Sequence, residues 1–224
     1  MKKENKLKIA ITLNIIIVLL VLLGLYILVN KIEFMSGYDF TESVSRGSMM
    51  KYFTIESNIF MAIMALIFAI DEIKLLKGKI KEISKNKYIL KLASTSAVAL
   101  TCVVVFIWLG PTTKGGIHTM LMNANLFFHL IVPLLSIIVF TIFEKTNKRA
   151  FKATLSGLII LLLYGFVYMP DVITHMNNGK VSTKYDFYNY FQNGILIGLI
   201  AFTIQGIIMY LISLTLWKIN KENK

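Results

Sequence analysis

The chain has few of the residues that build disulfides, metal sites or an aqueous domain. It contains one cysteine, Cys102, so no disulfide can form within the chain and a cysteine-rich metal site is excluded. Charged residues make up only 16% of the 224 residues, whereas hydrophobic residues make up 56%. Because an average soluble domain has about 25% charged residues, this composition is typical of a membrane protein.

Six long apolar runs occupy most of the sequence. They are Leu7–Val29, Met49–Ile70, Tyr88–Leu109, His118–Phe143, Phe151–Met169 and Tyr190–Trp217. Each run is close to the ~20 residues that an α-helix needs to cross the core of a bilayer. The sequence therefore predicts an all-α fold in which residues 1–224 form a single domain, a bundle of six transmembrane helices.

The basic residues are distributed unevenly among the segments that connect these runs. Of the 24 Lys and Arg residues, 18 lie at the two termini and in the Lys74–Lys91 and Lys145–Lys152 loops. The positive-inside rule then predicts a multi-pass protein of the cell membrane with both termini in the cytoplasm. This topology explains the net charge of +12 better than nucleic acid does, because the basic residues lie beside apolar runs. We expect membrane lipid as a partner and no nucleic acid, while protein partners stay unknown.

Polar side chains inside the second span are the first candidates for a functional site. A polar group is costly in lipid, so it is expected to face the interior of the bundle. Thr54, Ser57 and Asn58 are spaced at i, i+3 and i+4, which places them on one face of a helix. Glu56 is rotated away from that face.

The fourth span carries a second polar stripe, formed by His118, Asn125 and His129 at helical spacing. Pro133 lies four residues after His129, so the carbonyl of His129 loses its helical donor and a kink is expected there. His118 and His129 would be separated by ~16 Å along a helix that rises 1.5 Å per residue, too far to share a metal ion. His175 falls in the last loop. We therefore predict no histidine metal centre and no cofactor.

Thr54 and His129 are the candidate catalytic pair. The predicted topology starts the second and fourth spans on the same, outer side, so a hydroxyl and an imidazole would face one pocket. A nucleophile beside a base is the arrangement needed for acyl transfer, with Ser57, Asn58 or Asn125 orienting the base or the substrate. The alternatives are a small transporter or channel-like subunit and a noncatalytic membrane scaffold. The small number of ionisable groups in the inner halves of the spans argues against transport. The Lys74–Lys91 loop is expected to act only as a topology anchor.

Two segments resemble a known family: Tyr52-Phe-Thr-Ile-Glu-Ser-Asn58, and Asn125-Leu-Phe-Phe-His-Leu-Ile-Val-Pro133. They are similar to the bacterial branch of the androgen-induced and androgen-dependent-TFPI-regulating family of six-span membrane proteins. The resemblance covers spans two to four and elsewhere mainly the number of spans. In animal members a threonine at the start of the second span and a histidine in the fourth hydrolyse fatty acid esters of hydroxy fatty acids. The resemblance therefore implies a lipid-ester hydrolase in which Thr54 is the nucleophile and His129 is the base.

Overall fold

Six long helices are formed by the residues that the computed structural model describes, which are 3–35, 49–113, 115–146, 150–182 and 184–220. They are α1 (Lys3–Asn30), α2 (Phe53–Leu76), α3 (Lys85–Thr112), α4 (Ala124–Phe143), α5 (Phe151–Thr174) and α6 (Ile195–Ile219). The all-α prediction is confirmed over these residues. All of the helices except α2 are long and apolar enough to cross a membrane, which is compatible with a multi-pass membrane protein.

The helix α2 is shifted along the chain relative to the predicted second span. It begins at Phe53 and continues six residues beyond Ile70, so Asp71 and Glu72 lie in its last turns. The residue before it, Tyr52, provides no side-chain cap for the free backbone N–H groups of the first turn. Instead, the Phe53 N–H donates to the hydroxyl of Tyr188 over 2.9 Å. The start of α2 is therefore fixed by the loop before α6.

The predicted start of the fourth span at His118 is wrong. Residues Gly116–Leu121 form a 3₁₀ helix in which His118 is exposed, and Asn123 adopts a φ of 49°. A non-glycine residue with positive φ cannot continue a right-handed helix, so α4 begins only after it. A π-helical turn over Phe127–Ile131 contains His129 and ends two residues before Pro133, while the kink expected there stays a prediction.

The helix α3 lies at the centre of the bundle. Every residue from Lys91 to Thr101 is buried, because α2, α4, α5 and α6 all pack around this helix. The helices α1, α2 and α4 share one apolar cluster that includes Ile17, Met61 and Phe128. Small residues bring α5 close to its neighbours: a Cβ at Gly165 would lie 2.4 Å from the ring of Phe202 on α6.

The helix ends collect at two opposite sides of the bundle. One side holds the start of α1 and the loop between α2 and α3, and we call it the predicted inner end. The other holds the loop between α3 and α4 and the loop between α5 and α6, and we call it the predicted outer end. At the outer end the Asn123 side chain accepts the backbone N–H groups of Phe34 and Met35 over 2.9 Å each, which ties the end of α1 to the start of α4.

Candidate functional site

A groove with a volume of about 750 Å³ lies between α2 and α5 in the half of the bundle nearer the predicted outer end. Its walls are mainly apolar, with Phe53 and Phe60 from α2 and Ile160 and Leu163 from α5. Val167 on the α5 wall is 76% exposed, so the groove opens to the surroundings of the bundle rather than into its core. A volume of this size is within the range of small-molecule sites. We call it the α2–α5 groove.

Charged side chains lie at the outer end of the α2–α5 groove. The Lys51 ammonium is 3.6 Å from the carboxylate of Asp171, and Glu56 is exposed on the groove wall. The Tyr164 hydroxyl donates to the backbone carbonyl of Lys51 over 2.7 Å, which holds the segment before α2 against α5. The groove therefore combines apolar walls with a polar rim, an arrangement that fits an amphiphilic ligand.

Stacked aromatic side chains border the groove at the same end. The rings of Tyr164 and Tyr168 stack with their centroids 5.8 Å apart, and Phe187 meets the edge of Tyr168 at 5.1 Å. Tyr188 contacts both tyrosines, at 6.5 Å and 5.8 Å. These four residues form an aromatic cap made by α5 and the loop before α6.

One buried carboxylate, that of Asp186, organises this aromatic cap. It accepts the Tyr168 O–H over 2.5 Å and the backbone N–H groups of Tyr190 and Phe191 over 3.0 and 2.9 Å. The side-chain amide of Gln192 donates to it over 3.3 Å. Since every one of these partners is a donor, the carboxylate satisfies groups that would otherwise be buried without an acceptor.

A smaller cavity of about 30 Å³ lies behind the groove, which is room for about one or two water molecules. Thr54 and Thr101 are among the residues that line it. Three residues line both spaces: Phe53, Tyr164 and Tyr168. Thr54 is thus one layer of side chains away from the α2–α5 groove.

The polar residues predicted for one face of α2 contact different neighbours. The Ser57 hydroxyl donates to the Thr54 carbonyl over 3.0 Å, and the residue lines the α2–α5 groove. Asn58 is fully buried, and its amide donates to the carbonyl of Thr54 over 2.8 Å and to that of Phe128 over 3.2 Å. Asn58 therefore connects α2 to α4 one residue away from His129.

The His129 ring is buried in α4 and points toward the 3₁₀ helix at the outer end. Its Nδ1 lies 2.8 Å from the carbonyl oxygen of Met120. Asn125, one turn earlier, is buried, and its side-chain nitrogen has no partner among the described residues. The residues that line the two spaces include Thr54 but not His129. The pairing of Thr54 with His129 stays a prediction.

The premise that the inner halves of the helices hold few ionisable groups is wrong. Lys91 is not part of a solvated loop, because α3 begins at Lys85 and the Lys91 side chain is fully buried. It contacts Asn14 and Glu144, and Asn14 also contacts Glu72. We call these four residues the inner polar cluster. The signals of it in the sequence were an asparagine in the middle of the first apolar run and a lysine inside the third run, Tyr88–Leu109.

The α2–α5 groove, the aromatic cap and the inner polar cluster are thus the three features of the bundle with functional interest. No family model, curated protein or solved structure matches the chain.

Proposed function

We propose that this chain is a six-span protein of the cell membrane with both termini in the cytoplasm, and that it binds a membrane lipid in the α2–α5 groove. The excess of Lys and Arg in the predicted cytoplasmic segments supports the orientation. The apolar walls and charged rim of the groove support a lipid as the ligand. An acyl chain would lie along Phe60 and Leu163, while the headgroup would meet Lys51, Glu56 and Asp171 at the rim.

The shape and exposure of the groove are the observations that favour a lipid over a water-soluble ligand. Its opening lies along the side of the bundle, where Leu163 is 58% exposed and Val167 is 76% exposed. A ligand that is dissolved in the bilayer reaches this opening by lateral diffusion. Apolar walls stabilise an acyl chain only by close contact, since the surrounding lipid is equally apolar. The charged rim would then provide most of the selectivity.

Filling the groove with a larger side chain tests this proposal. We expect Leu163→Trp to reduce the crosslinking of a photoreactive phospholipid to the protein in membranes several-fold, because the indole occupies the space that the acyl chain needs. Leu162→Trp is the matched control, because Leu162 is the adjacent leucine on α5, is 44% exposed and does not line the groove. Equal crosslinking in the two variants would contradict binding in the groove.

A lipid-ester hydrolase that uses Thr54 and His129 is the second candidate function. The observation in its favour is the contact between His129 Nδ1 and the Met120 carbonyl. A carbonyl only accepts, so Nδ1 must carry the hydrogen, and Nε2 of the neutral ring keeps its lone pair for use as a base. Asn58 holds α2 against α4 between the two residues, and Ser57, Asn58 and Asn125 are the candidate orienting groups.

Covalent labelling distinguishes hydrolysis from lipid binding alone. We expect a fluorophosphonate hydrolase probe to label the wild-type protein in membranes and to lose labelling in Thr54→Ala and His129→Ala. Thr54→Ser keeps a hydroxyl at the same position, so it should retain labelling, whereas Thr101→Ala changes another threonine that lines the same small cavity and should not matter. Labelling that survives in Thr54→Ala would remove Thr54 from the nucleophilic role and leave lipid binding intact.

A further inference from the structure

Four helices meet at the inner polar cluster, which is buried between them. The Asn14 side chain of α1 is at its centre: its amide nitrogen donates to Glu72 over 3.1 Å and to Glu144 over 2.8 Å. Its oxygen accepts the Lys91 ammonium over 2.7 Å. Lys91 is also 3.3 Å from the Glu144 carboxylate. These contacts form only when α1, α2, α3 and the end of α4 are packed together.

The charges of the cluster do not balance if every group is ionised. Two carboxyl groups share one ammonium, and a further acid, Asp71, precedes Glu72 on α2. Asp71 pairs with Lys87 over 2.6 Å and with Lys74 over 3.8 Å. The side chains of these two lysines are 40% and 47% exposed, so water screens their surplus positive charge from the buried Glu72. An uncompensated charge at a buried site is strongly disfavoured, and such a group takes up a proton instead.

Two further observations indicate that a proton is bound to a carboxyl group at this site. The Glu144 side chain is 1% exposed, and its Oε2 atom has no hydrogen-bond partner among the described residues. A buried carboxylate oxygen without a hydrogen-bond donor raises the free energy of the folded state. Protonation of Glu144 or of a neighbouring carboxyl group is therefore favoured. The aromatic ring of Phe68 lies 4.9 Å from the Lys91 ammonium, which stabilises the cationic form of the lysine. The proton is therefore expected on a carboxyl group and the charge on Lys91.

The contacts distinguish the two carboxyl groups. Glu144 is in direct contact with Lys91, whereas the described hydrogen bond of Glu72 is to the neutral amide of Asn14. Glu72 also lies beyond the predicted end of the second span. Burial and the negative charge of Glu144 raise the pKa of Glu72 to about 8. Glu72 is therefore the group that holds the proton when Glu144 is ionised.

We propose that the inner polar cluster is a proton-binding site, in which Glu72 and Glu144 hold one proton between them beside the Lys91 ammonium. With the proton bound, the cluster contains one ion pair and one neutral acid, and it holds the four helices together. Loss of the proton leaves two carboxylates against one ammonium and weakens the contacts of α2 with α1 and α4. The site then responds to the pH on the side of the membrane that the inner end faces. This inference does not depend on the proposed lipid function.

The direction of the pH effect follows from the raised pKa. Between pH 4.5, the ordinary value for a glutamate, and about 8, the unfolded chain releases the proton of Glu72 while the folded protein keeps it. The folded state then binds more protons, so its stability falls as the pH rises through this window. The groups that face Glu72 are Asn14 from α1, Lys91 from α3 and Glu144 from α4, besides Asp71 on its own helix. Asn220, after α6, donates to the backbone carbonyl of Glu144 rather than to its carboxylate, and it also contacts Tyr88 and the Phe140 carbonyl.

Glu72→Gln gives the sharpest test, because glutamine mimics a permanently protonated glutamate. We expect the melting temperature of the wild-type protein in detergent to fall by several degrees from pH 5 to pH 8, and that of Glu72→Gln to fall by much less. At pH 8 the variant should be more stable than the wild-type protein, although it has lost the ionisable carboxyl group of Glu72. Glu82→Gln, at an exposed position of the same end, should follow the wild-type profile.

An infrared measurement detects the bound proton directly and does not depend on protein stability. A protonated carboxyl group has a C=O stretching band that a carboxylate lacks. We expect a band at neutral pH that disappears on raising the pH above about 8 and that is absent in Glu72→Gln. The absence of such a band at neutral pH in the wild-type protein would overturn the proposal, as would a lower melting temperature of Glu72→Gln at every pH. The absence of the band would identify the cluster as a fully ionised network.

Discussion

Lys91→Met is expected to destabilise the protein by roughly 3–5 kcal/mol, the range found when one partner of a buried ion pair is removed. The Lys91 side chain is 0% exposed, and its ammonium contacts Glu144 and Asn14. Methionine fills most of the same volume, so loss of packing is a small part of the effect. The main contribution is that a buried carboxylate loses its cation. Thermal unfolding in detergent, followed by tryptophan fluorescence, measures the difference.

Lys87→Met is the matched control for this substitution. Lys87 lies one turn before Lys91 on α3 and pairs with Asp71 over 2.6 Å, but its side chain is 40% exposed. Its partner Asp71 is buried, with a side chain 4% exposed, but Asp71 keeps Lys74 at 3.8 Å, so the control should lose clearly less stability than Lys91→Met. The double substitution Lys91→Met with Glu144→Gln should recover part of the lost stability, because it also removes the uncompensated charge. Equal effects of Lys87→Met and Lys91→Met would show that burial of the ammonium is unimportant.

The positions of the helices could be predicted from the sequence because hydropathy is a local property. Each predicted run overlaps one observed helix, and the errors lie at the ends. The fourth span was predicted to start at His118, but a left-handed residue at Asn123 stops the helix there. Apolar residues continue through that break, so hydropathy alone could not detect it. The same reasoning placed Lys91 in a loop, since a lysine near the start of an apolar run is ordinarily an interfacial residue.

The sites were harder to predict because they depend on contacts between helices that are distant in the chain. Asn14 and Glu144 are 130 residues apart, and nothing in either local sequence indicates that they meet. The α2–α5 groove exists because two helices that are not consecutive leave a space between them. Periodicity correctly identified the face of α2 that carries Thr54, Ser57 and Asn58 as partly buried. It did not determine which neighbour each of those side chains would contact.

Asp186→Asn is expected to loosen the aromatic cap and to destabilise the protein by about 3 kcal/mol. Hydrogen bonds to a buried charged group are stronger than those to a neutral one, and a buried donor that loses its acceptor destabilises the folded state further. The substitution keeps the size of the side chain. It replaces one acceptor oxygen by an NH₂ group, however, and that group must face a donor: the Tyr168 O–H, or the Phe191 N–H and the Gln192 amide.

The aromatic cap borders the α2–α5 groove, so Asp186→Asn should also affect ligand binding. We expect faster proteolysis within residues 176–194 and weaker crosslinking of a photoreactive phospholipid, together with a lower melting temperature. Asp171→Asn is the control for melting and proteolysis, although not for crosslinking, since Asp171 is at the rim proposed to meet the headgroup. Its carboxylate is 37% exposed and lies 3.6 Å from Lys51, so the substitution should cost no more than about 1 kcal/mol. If Asp186→Asn left both proteolysis and melting unchanged, the buried carboxylate would not be what holds the loop before α6 against α5.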